Sequence, residues 1–538
     1  MKSPMIKSPM ISTPLFGILA ASLLLSGLYI PPVDIHFDDK AIFEYTGLVV
    51  FRGGVPYRDF FDHKPPLIFL MNALSPLTGY WGLWLMDTLL VMGATVLFFN
   101  LCKRYRLPSP WILPLLFNLL IRNYLVCHGI GMTRAYTAIF ILMAFCVAIG
   151  RPRHTFLKLG ILSALTFFMQ QDQILALLPF ILYALATPNL AHPTSATLNP
   201  AHPTSAPPDA ASSNPAAPIS HRPPLRDIFR HLLLTTVGFA IVTVPILLYF
   251  TLRDALRPFW EDAFLFNFRV YAEKLPFIEH FRAAKDALTQ TALEMPFIMS
   301  LTLGFASFFL RHKNKVLILA TISSAVLSFG PESISGKLAE GSPFYYYLLP
   351  FSATLPILVF SVWAFTEETS LLGKKNILLY GFLLCSLPLY NALQHASHLN
   401  GHDQDWATQT AEYRYLRQLP LSDYQLYIAF DADYDQLYSD HRILSPSPWI
   451  YQHFWSWYAN WDADHRQLKG IIDDLLRHKT LFILYFTKNS PEKSFLDPSA
   501  EAIWNAFLYE HYRLISVPGA STSHIWQLIE PLPATGQQ

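Results

Sequence analysis

The chain has 538 residues, of which 52% are hydrophobic and only 14% charged, with a positive mean hydropathy. That balance excludes an ordinary soluble enzyme and points to a polytopic membrane protein. Its 39 Lys and Arg against 38 Asp and Glu give a net charge of +1, so no global field recruits nucleic acid and partners must be chosen by local sites.

Lys2 and Lys7 precede the first apolar run at 11–30. No small-residue cleavage site follows, so the run reads as an uncleaved first helix rather than a signal peptide. Further runs that can cross a bilayer, at about 20 residues each, lie near 80–101, 110–127, 132–149, 156–170, 173–187, 231–251, 292–310, 315–330, 344–365 and 376–394. The expectation is therefore about eleven spans. Basic clusters KRYR at 103–106, RPRHTFLK at 151–158, the end of the loop at 222–230, RHKNK at 311–315 and KK at 374–375 all fall on one side of that arrangement. The positive-inside rule makes that side, with the N-terminus, cytoplasmic. The outward segments are then 31–79, 128–131, 170–172, 252–291, 331–343 and everything after about 395.

The outer segment 36–69 carries the densest chemistry. Ile42, Phe43, Thr46, Val49 and Val50 recur at helical spacing before Arg52, Gly53 and Gly54 stop the run, which predicts an amphipathic helix over 39–51 lying on the outer membrane surface. Pro65 and Pro66 start a second helix that Pro76 and Gly79 end early. Residues 188–226 are rich in Pro, Ala, Ser, Thr and His, with AHPTSA repeated at 191–196 and 201–206. So few large apolar side chains cannot offset ordering entropy, and the segment reads as a disordered cytoplasmic linker in which His192 and His202 are solvated rather than metal-binding.

From about 396 to 538 the chain turns soluble in character. LYIAF at 426–430, LFILYF at 481–486, RLISV at 513–517 and HIWQLI at 524–529 read as strands between helical stretches at 465–478 and 499–509. This predicts a small extracytoplasmic α/β domain, with no phosphate loop, nucleophile elbow or zinc motif and no catalytic role. Its aromatic patch, Trp449, Tyr451, Phe454, Trp455, Trp457, Tyr458 and Trp461, reads as an amphipathic surface resting on the membrane interface or on the membrane domain in preference to a sugar-stacking platform. Cys102, Cys127, Cys146 and Cys385 lie in or beside apolar runs without metal or redox spacing, which assigns them to packing.

An outward-facing site is cut off from cytosolic nucleotide sugars, and a polyprenyl-phosphate sugar is the usual donor there. Transfer from it needs a carboxylate to deprotonate the acceptor hydroxyl and cations to neutralise the departing phosphate. Asp38 and Asp39 supply the first, and Lys64 with Arg58 the second. The acidic pair after the first helix, the pattern Gly54, Pro56, Tyr57, Asp59, and His63 to Pro66 together resemble the GT-C glycosyltransferases, the bacterial relatives of protein O-mannosyltransferases and of the lipid A aminoarabinose transferase. FNFRVYA at 266–272 and GSPFYYYLLP at 341–350 extend the likeness, which covers residues 1–395 and is weak beyond them.

The resemblance implies a mostly α-helical polytopic GT-C protein with a C-terminal extracytoplasmic α/β domain. It implies a hexosyl- or pentosyltransferase in which Asp38, with Asp39, orients or deprotonates the acceptor. Lys64 and Arg58 would bind the donor phosphate, and Tyr57, Asp59, His63, Asn267, Tyr271, Tyr345, Tyr346 and Tyr347 would line the cavity. The partners implied are a polyprenyl-phosphate sugar, a lipid, glycan or protein acceptor, and the membrane. Relatives often carry Asp-Glu where this chain has Asp38 and Asp39, a change that keeps both charges. Many also have an acidic residue near the fourth helix and a Lys after the fifth, where Arg134 and the run Gln170, Gln171, Asp172, Gln173 stand here. Asp87, inside the second long run, reads either as a structural partner of Arg122 or Arg134 or as a site residue. His128 and Glu332 read as solvated loop residues. No cofactor beyond the lipid-linked substrate is expected, and no metal, Asp62 and His63 being the nearest approach to a ligand pair. The rival classes are a lipid or glycan transporter, which predicts inverted repeats and broken helices, and an assembly factor acting through the outer domain.

Overall fold

The computed structural model describes residues 13–30, 38–123, 130–187, 224–271, 289, 296–302, 314–334, 348–364, 374–398, 410–429, 434–450, 462, 464–486, 497–520 and 523–529. The apolar runs fold as helices: α1 Thr13–Gly27, α5 Trp81–Arg104, α6 Ile112–Ile121, α7 Thr133–Gly150, α8 Thr155–Met169, α9 Leu178–Ala186, α10 Leu225–Leu252, α12 Lys315–Ile334, α13 Phe351–Trp363 and α14 Lys374–His398. Between them lie α2 Asp38–Phe51, α3 Leu67–Asn72, α4 Ser75–Thr78 and α11 Leu256–Trp260. Three of these helices, α5, α7 and α10, are long and apolar enough to cross a membrane among the described residues, and shorter apolar helices accompany them. This is an integral membrane protein. The linker at 188–226 lies outside the described residues up to 223, and the run near 292–310 is described only at 296–302.

Helix α7 is buried almost throughout, whereas α10 turns Leu233, Val237, Ile241, Val244 and Leu248 outward, each about half exposed. An exposed stripe of that chemistry is stable only against hydrocarbon. Helix α10 packs most extensively on α8, through facing glycines: a Cβ on Gly160 would overlap the backbone at Thr235, and one on Gly238 the carbonyl of Leu157. Small residues let the two backbones touch, the usual source of van der Waals attraction between helices in lipid. Gly160→Leu is expected to destabilise the protein by about 1–3 kcal/mol through overpacking, read as a lower melting temperature in detergent.

The C-terminal region forms a four-stranded sheet of β1 Leu426–Ala429, β2 Phe482–Phe486, β3 Tyr512–Ile515 and β4 Ser523–Leu528, ordered β1-β2-β4-β3. Strands β1 and β2 are parallel, and the β2–β4 and β3–β4 pairs antiparallel. Alternate residues separate cleanly: Tyr427, Ile483 and Trp526 pack on α17 Arg466–His478 and α18 Pro498–His511. Leu426, Ile428, Leu484 and Ile525 join the cluster holding α15 Ala411–Arg417 and α16 Gln436–His441. Both faces are covered, which is why β1 and β2 read as unbroken apolar runs.

One expectation is corrected. Helix α2 does not lie on the membrane surface: residues 40–49 are all buried. The reason is tertiary, since α3 packs on one flank of the helix and α16, from the C-terminal region, on the other. The second predicted helix is split into α3 and α4, and Pro76 sits in the first turn of α4, where it costs no hydrogen bond, instead of ending it.

Candidate active site

Helix α2 ends as Gly53 and Gly54 donate to the carbonyls of Val50 and Val49, with Gly53 at φ +90. That left-handed turn needs glycine. The chain then makes a tight loop in which Val55 N donates to Asp59 Oδ2 at 2.7 Å and Asp59 N to the Val55 carbonyl at 2.9 Å. Tyr57 adopts φ 69 within it, a costly conformation for an aromatic residue. Its ring is wedged against Phe69, Phe250 and Phe259, and its hydroxyl donates to the Lys64 carbonyl at 2.7 Å. Asp62 Oδ1 accepts from Lys64 N at 2.9 Å, an Asx-type turn. Lys64 is thus fixed at both its N–H and its C=O before its side chain does anything.

Lys64 is buried, at 8% exposed; its ammonium reaches Asp39 Oδ2 at 3.5 Å and sits 5.6 Å from the centroid of the Phe43 ring, within cation–π range. Residues 25 positions apart therefore form one part-buried group. A second carboxylate belongs to it: Asp62 is buried, and burial pushes its pKa up to about 6, opposed by the Lys64 charge and N–H and reinforced by Asp39. His63 Nδ1 lies 3.6 Å from Asp62 Oδ1.

A third side of the site comes from beyond α10, where α11 continues into two π-helical turns, Glu261–Leu265 and Asn267–Tyr271. Such turns recur at functional sites because they displace side chains from the regular helical face. Asn267 Nδ2 donates to the His63 and Ala263 carbonyls, both at 2.7 Å, and Gln171 Nε2 donates to the same Ala263 carbonyl at 3.1 Å. Asp262 projects from the first π turn. Its pKa is pushed up to about 7 by burial, then by Glu261 and by Asp62. Asp262 was missing from the sequence-derived set, although two adjacent acids just before FNFRVYA in an outward segment were a usable signal.

Chemically, this is an ammonium paired with one carboxylate, Asp39, and coupled to a second, Asp62, whose pKa is raised to about 6. Asp262, raised to about 7, couples to Asp62 in turn. Because the Asp62 pKa lies above its ordinary 3.8, the folded state holds a proton that the unfolded chain has released. The stability this contributes is complete below pH 4 and is lost as pH rises through about 6. Asp62→Asn keeps the acceptor for Lys64 N, and is expected to stabilise the protein at pH 7.5 by on the order of 1–3 kcal/mol and not at pH 4. Thermal unfolding across that range checks it.

Neither a protein-family sequence model nor a curated protein matches this chain. Among solved structures it is similar to ArnT from Cupriavidus metallidurans bound to undecaprenyl phosphate, with TM-score 0.55 and 11% identity over 97% of this chain and 99% of that one. The apo state of the same protein gives TM-score 0.54 and 13% identity over 95% and 97% of the two chains. This chain has the fold of those ArnT structures. At 97% coverage the likeness runs past residue 395 into the sheet region, where the sequence resemblance was weak.

Within this fold the other expected residues fall in different places. Arg58 and Asp59 pair with each other at 2.8 Å, and Arg58 also donates to the Arg253 carbonyl. They brace the loop to the end of α10 and do not join Lys64. Asp59 is held below the usual carboxylate range by Arg58 and Val55 N–H, against an opposing push from burial. Tyr57 is buried and braces the loop through its hydroxyl and ring contacts. Asp38 heads α2 and Tyr271 ends the second π turn, but both side chains lie outside the described residues, as do Tyr345, Tyr346, Tyr347, His128, Cys127 and the Glu332 side chain. Trp449 is the one member of the aromatic patch that is described, Tyr451 to Trp461 lying outside. Asp87 pairs with Arg122 inside the bundle, so the structural alternative holds. Cys102, Cys146 and Cys385 are buried. Among the described residues no three His, Cys, Asp or Glu side chains group closely enough to hold a metal ion.

Proposed function

We propose that this protein transfers a hexose or pentose from a polyprenyl-phosphate donor to an acceptor on the outer face of the membrane, in the manner of a GT-C glycosyltransferase. The observation that carries the reading is the part-buried Asp39–Lys64 pair, at 3.5 Å, in a chain of long apolar helices. Its support from relatives is that the similar ArnT structure was solved bound to undecaprenyl phosphate.

In this reading the donor phosphate enters beside Lys64 and competes with Asp39 for the ammonium. The carboxylate released from that pairing accepts the proton of the acceptor hydroxyl as its oxygen attacks the anomeric carbon. The bond from that carbon to the phosphate oxygen breaks, the phosphate keeps the electron pair, and Lys64 neutralises the charge that develops. Among the described side chains Asp39 is the carboxylate of the acidic pair that meets Lys64, and it takes the role expected of that pair in this reading. Donor arrival and base activation are then one event. The N-terminus is cytoplasmic and the sheet domain extracytoplasmic in this reading, in the inner membrane of a cell that builds envelope glycan.

Incubating the purified protein with a panel of polyprenyl-phosphate sugars and candidate acceptors tests it. Acceptor-dependent loss of one donor is the expected result, and no turnover of any donor counts against the reading.

A further inference from the structure

The segment 442–450 touches every part of the outer stretch that carries Asp39 and Lys64. On α2, Tyr45 accepts a hydrogen bond from Ser445 N at 2.9 Å, and its ring lies 4.8 Å from that of Tyr438. At the end of α2, Arg52 holds Asp423 with two bonds of 2.7 and 2.8 Å and also donates to the Arg442 carbonyl. Asp423 in turn accepts from Leu444 N at 3.0 Å. On the loop, Phe61 N donates to the Pro448 carbonyl at 2.8 Å, and the Phe61 ring packs on Trp449 at 4.8 Å. Arg442 donates to the Pro76 carbonyl in α4 at 2.6 Å.

These contacts are distributed in a telling way. Tyr45 lies on α2, the helix that carries Asp39, and Phe61 lies one residue before the Asp62 turn that fixes Lys64. No hydrogen bond joins the backbones of α2 and the 62–64 turn directly among the described residues. The strap bonds to both, by main-chain groups on its own side (Ser445 N, Pro448 O), so its conformation sets their separation. Trp449, the described aromatic residue that would have stacked on a sugar, is engaged with Phe61 instead.

We infer that the 442–450 strap of the C-terminal domain is a positioning element for the catalytic pair, holding Asp39 and Lys64 in register without binding donor or acceptor. This rests on the transferase reading above. Small misplacements of reacting groups lower turnover steeply while leaving remote binding intact. The strap therefore acts on kcat and leaves KM alone, the opposite of what a sugar-binding module does.

The test uses the full-length protein with Tyr45→Phe, Asp423→Ala, Trp449→Leu and the rescue variant Asp423→Glu. For each variant, kcat and KM are measured with the donor the wild type turns over, and affinity with undecaprenyl phosphate as probe. Hydrogen–deuterium exchange of segments 38–52 and 59–64 supplies a readout independent of activity. The expected result is a kcat about tenfold lower, with KM and probe affinity within about twofold of wild type, faster exchange in both segments, and recovery by Asp423→Glu. Unchanged kcat, a raised KM at unchanged kcat, or unchanged exchange overturns the inference. A wild type that turns over no donor counts against the transferase reading alone, because exchange still reports whether the strap holds the two segments.

Discussion

Replacing Lys64 by Met is expected to lower transfer by about 10²–10³-fold, the loss of one charge-stabilising group at a developing anion. The backbone at residue 64 does not depend on the ammonium, because Tyr57 holds its carbonyl and Asp62 its N–H. The variant should therefore fold, and its defect should be in turnover. Asp39→Asn, nearly isosteric, removes the proton acceptor and is expected to cost about 10²–10⁴-fold. The two substitutions should be far from additive, since each residue acts through the other. A secondary consequence separates loss of charge from loss of fold. Lys64 lowers the pKa of Asp62, so in Lys64→Met the Asp62 transition moves above pH 6 in a stability–pH profile. Wild-type rates of donor consumption in both single variants would sink the assignment.

The second large effect concerns stability. Asp87 in α5 and Arg122 at the end of α6 are both essentially inaccessible and paired. Arg122 also donates to Ser26 Oγ of α1 at 3.3 Å, and its carbonyl accepts from the Tyr29 hydroxyl at 3.0 Å. One guanidinium thus ties three helices together. Arg122→Met leaves a buried carboxylate uncompensated and is expected to destabilise by about 3–5 kcal/mol, whereas Asp87→Leu with Arg122→Met should be near neutral or stabilising. Thermal unfolding in detergent distinguishes the two. A melting temperature in Arg122→Met equal to wild type would contradict the pairing as the source of stability.

Much of this was legible before any coordinates, for identifiable reasons. Apolar runs have the length of a membrane crossing, and helices such as Trp81–Arg104 and Thr133–Gly150 follow because a backbone in hydrocarbon must satisfy its own hydrogen bonds. The strands at Leu426–Ala429 and Phe482–Phe486 were legible as short apolar runs between turn signals. The Gly53–Gly54 stop of α2 was equally local. The position of α2 was not legible: the same residues that suit a helix on a membrane surface suit one buried between two layers, and only the arrival of α16 decides. Arg58 and Lys64 look alike as cations of one loop, yet adjacency gives Asp59 to Arg58 while the Asp62 turn aims Lys64 at Asp39. The acidic pair Glu261 and Asp262 was visible in the sequence, but its coupling to Asp62 was not, because Asp62 is 200 positions away in the chain.

Composition, spacing and local turn chemistry thus dictate which segments form apolar helices, which residues start and stop the helix carrying Asp39, and which ionisable residues stand in the 36–69 stretch. All are decided within a few residues by hydrogen-bond satisfaction and hydrophobic burial. The tertiary structure alone decides that Asp39 meets Lys64 and that Asp262 joins Asp62. It alone places a strap of the C-terminal domain across both halves of the outer stretch. These are contacts between distant segments, and short-range sequence pattern carries no information about which distant surface will cover a given face.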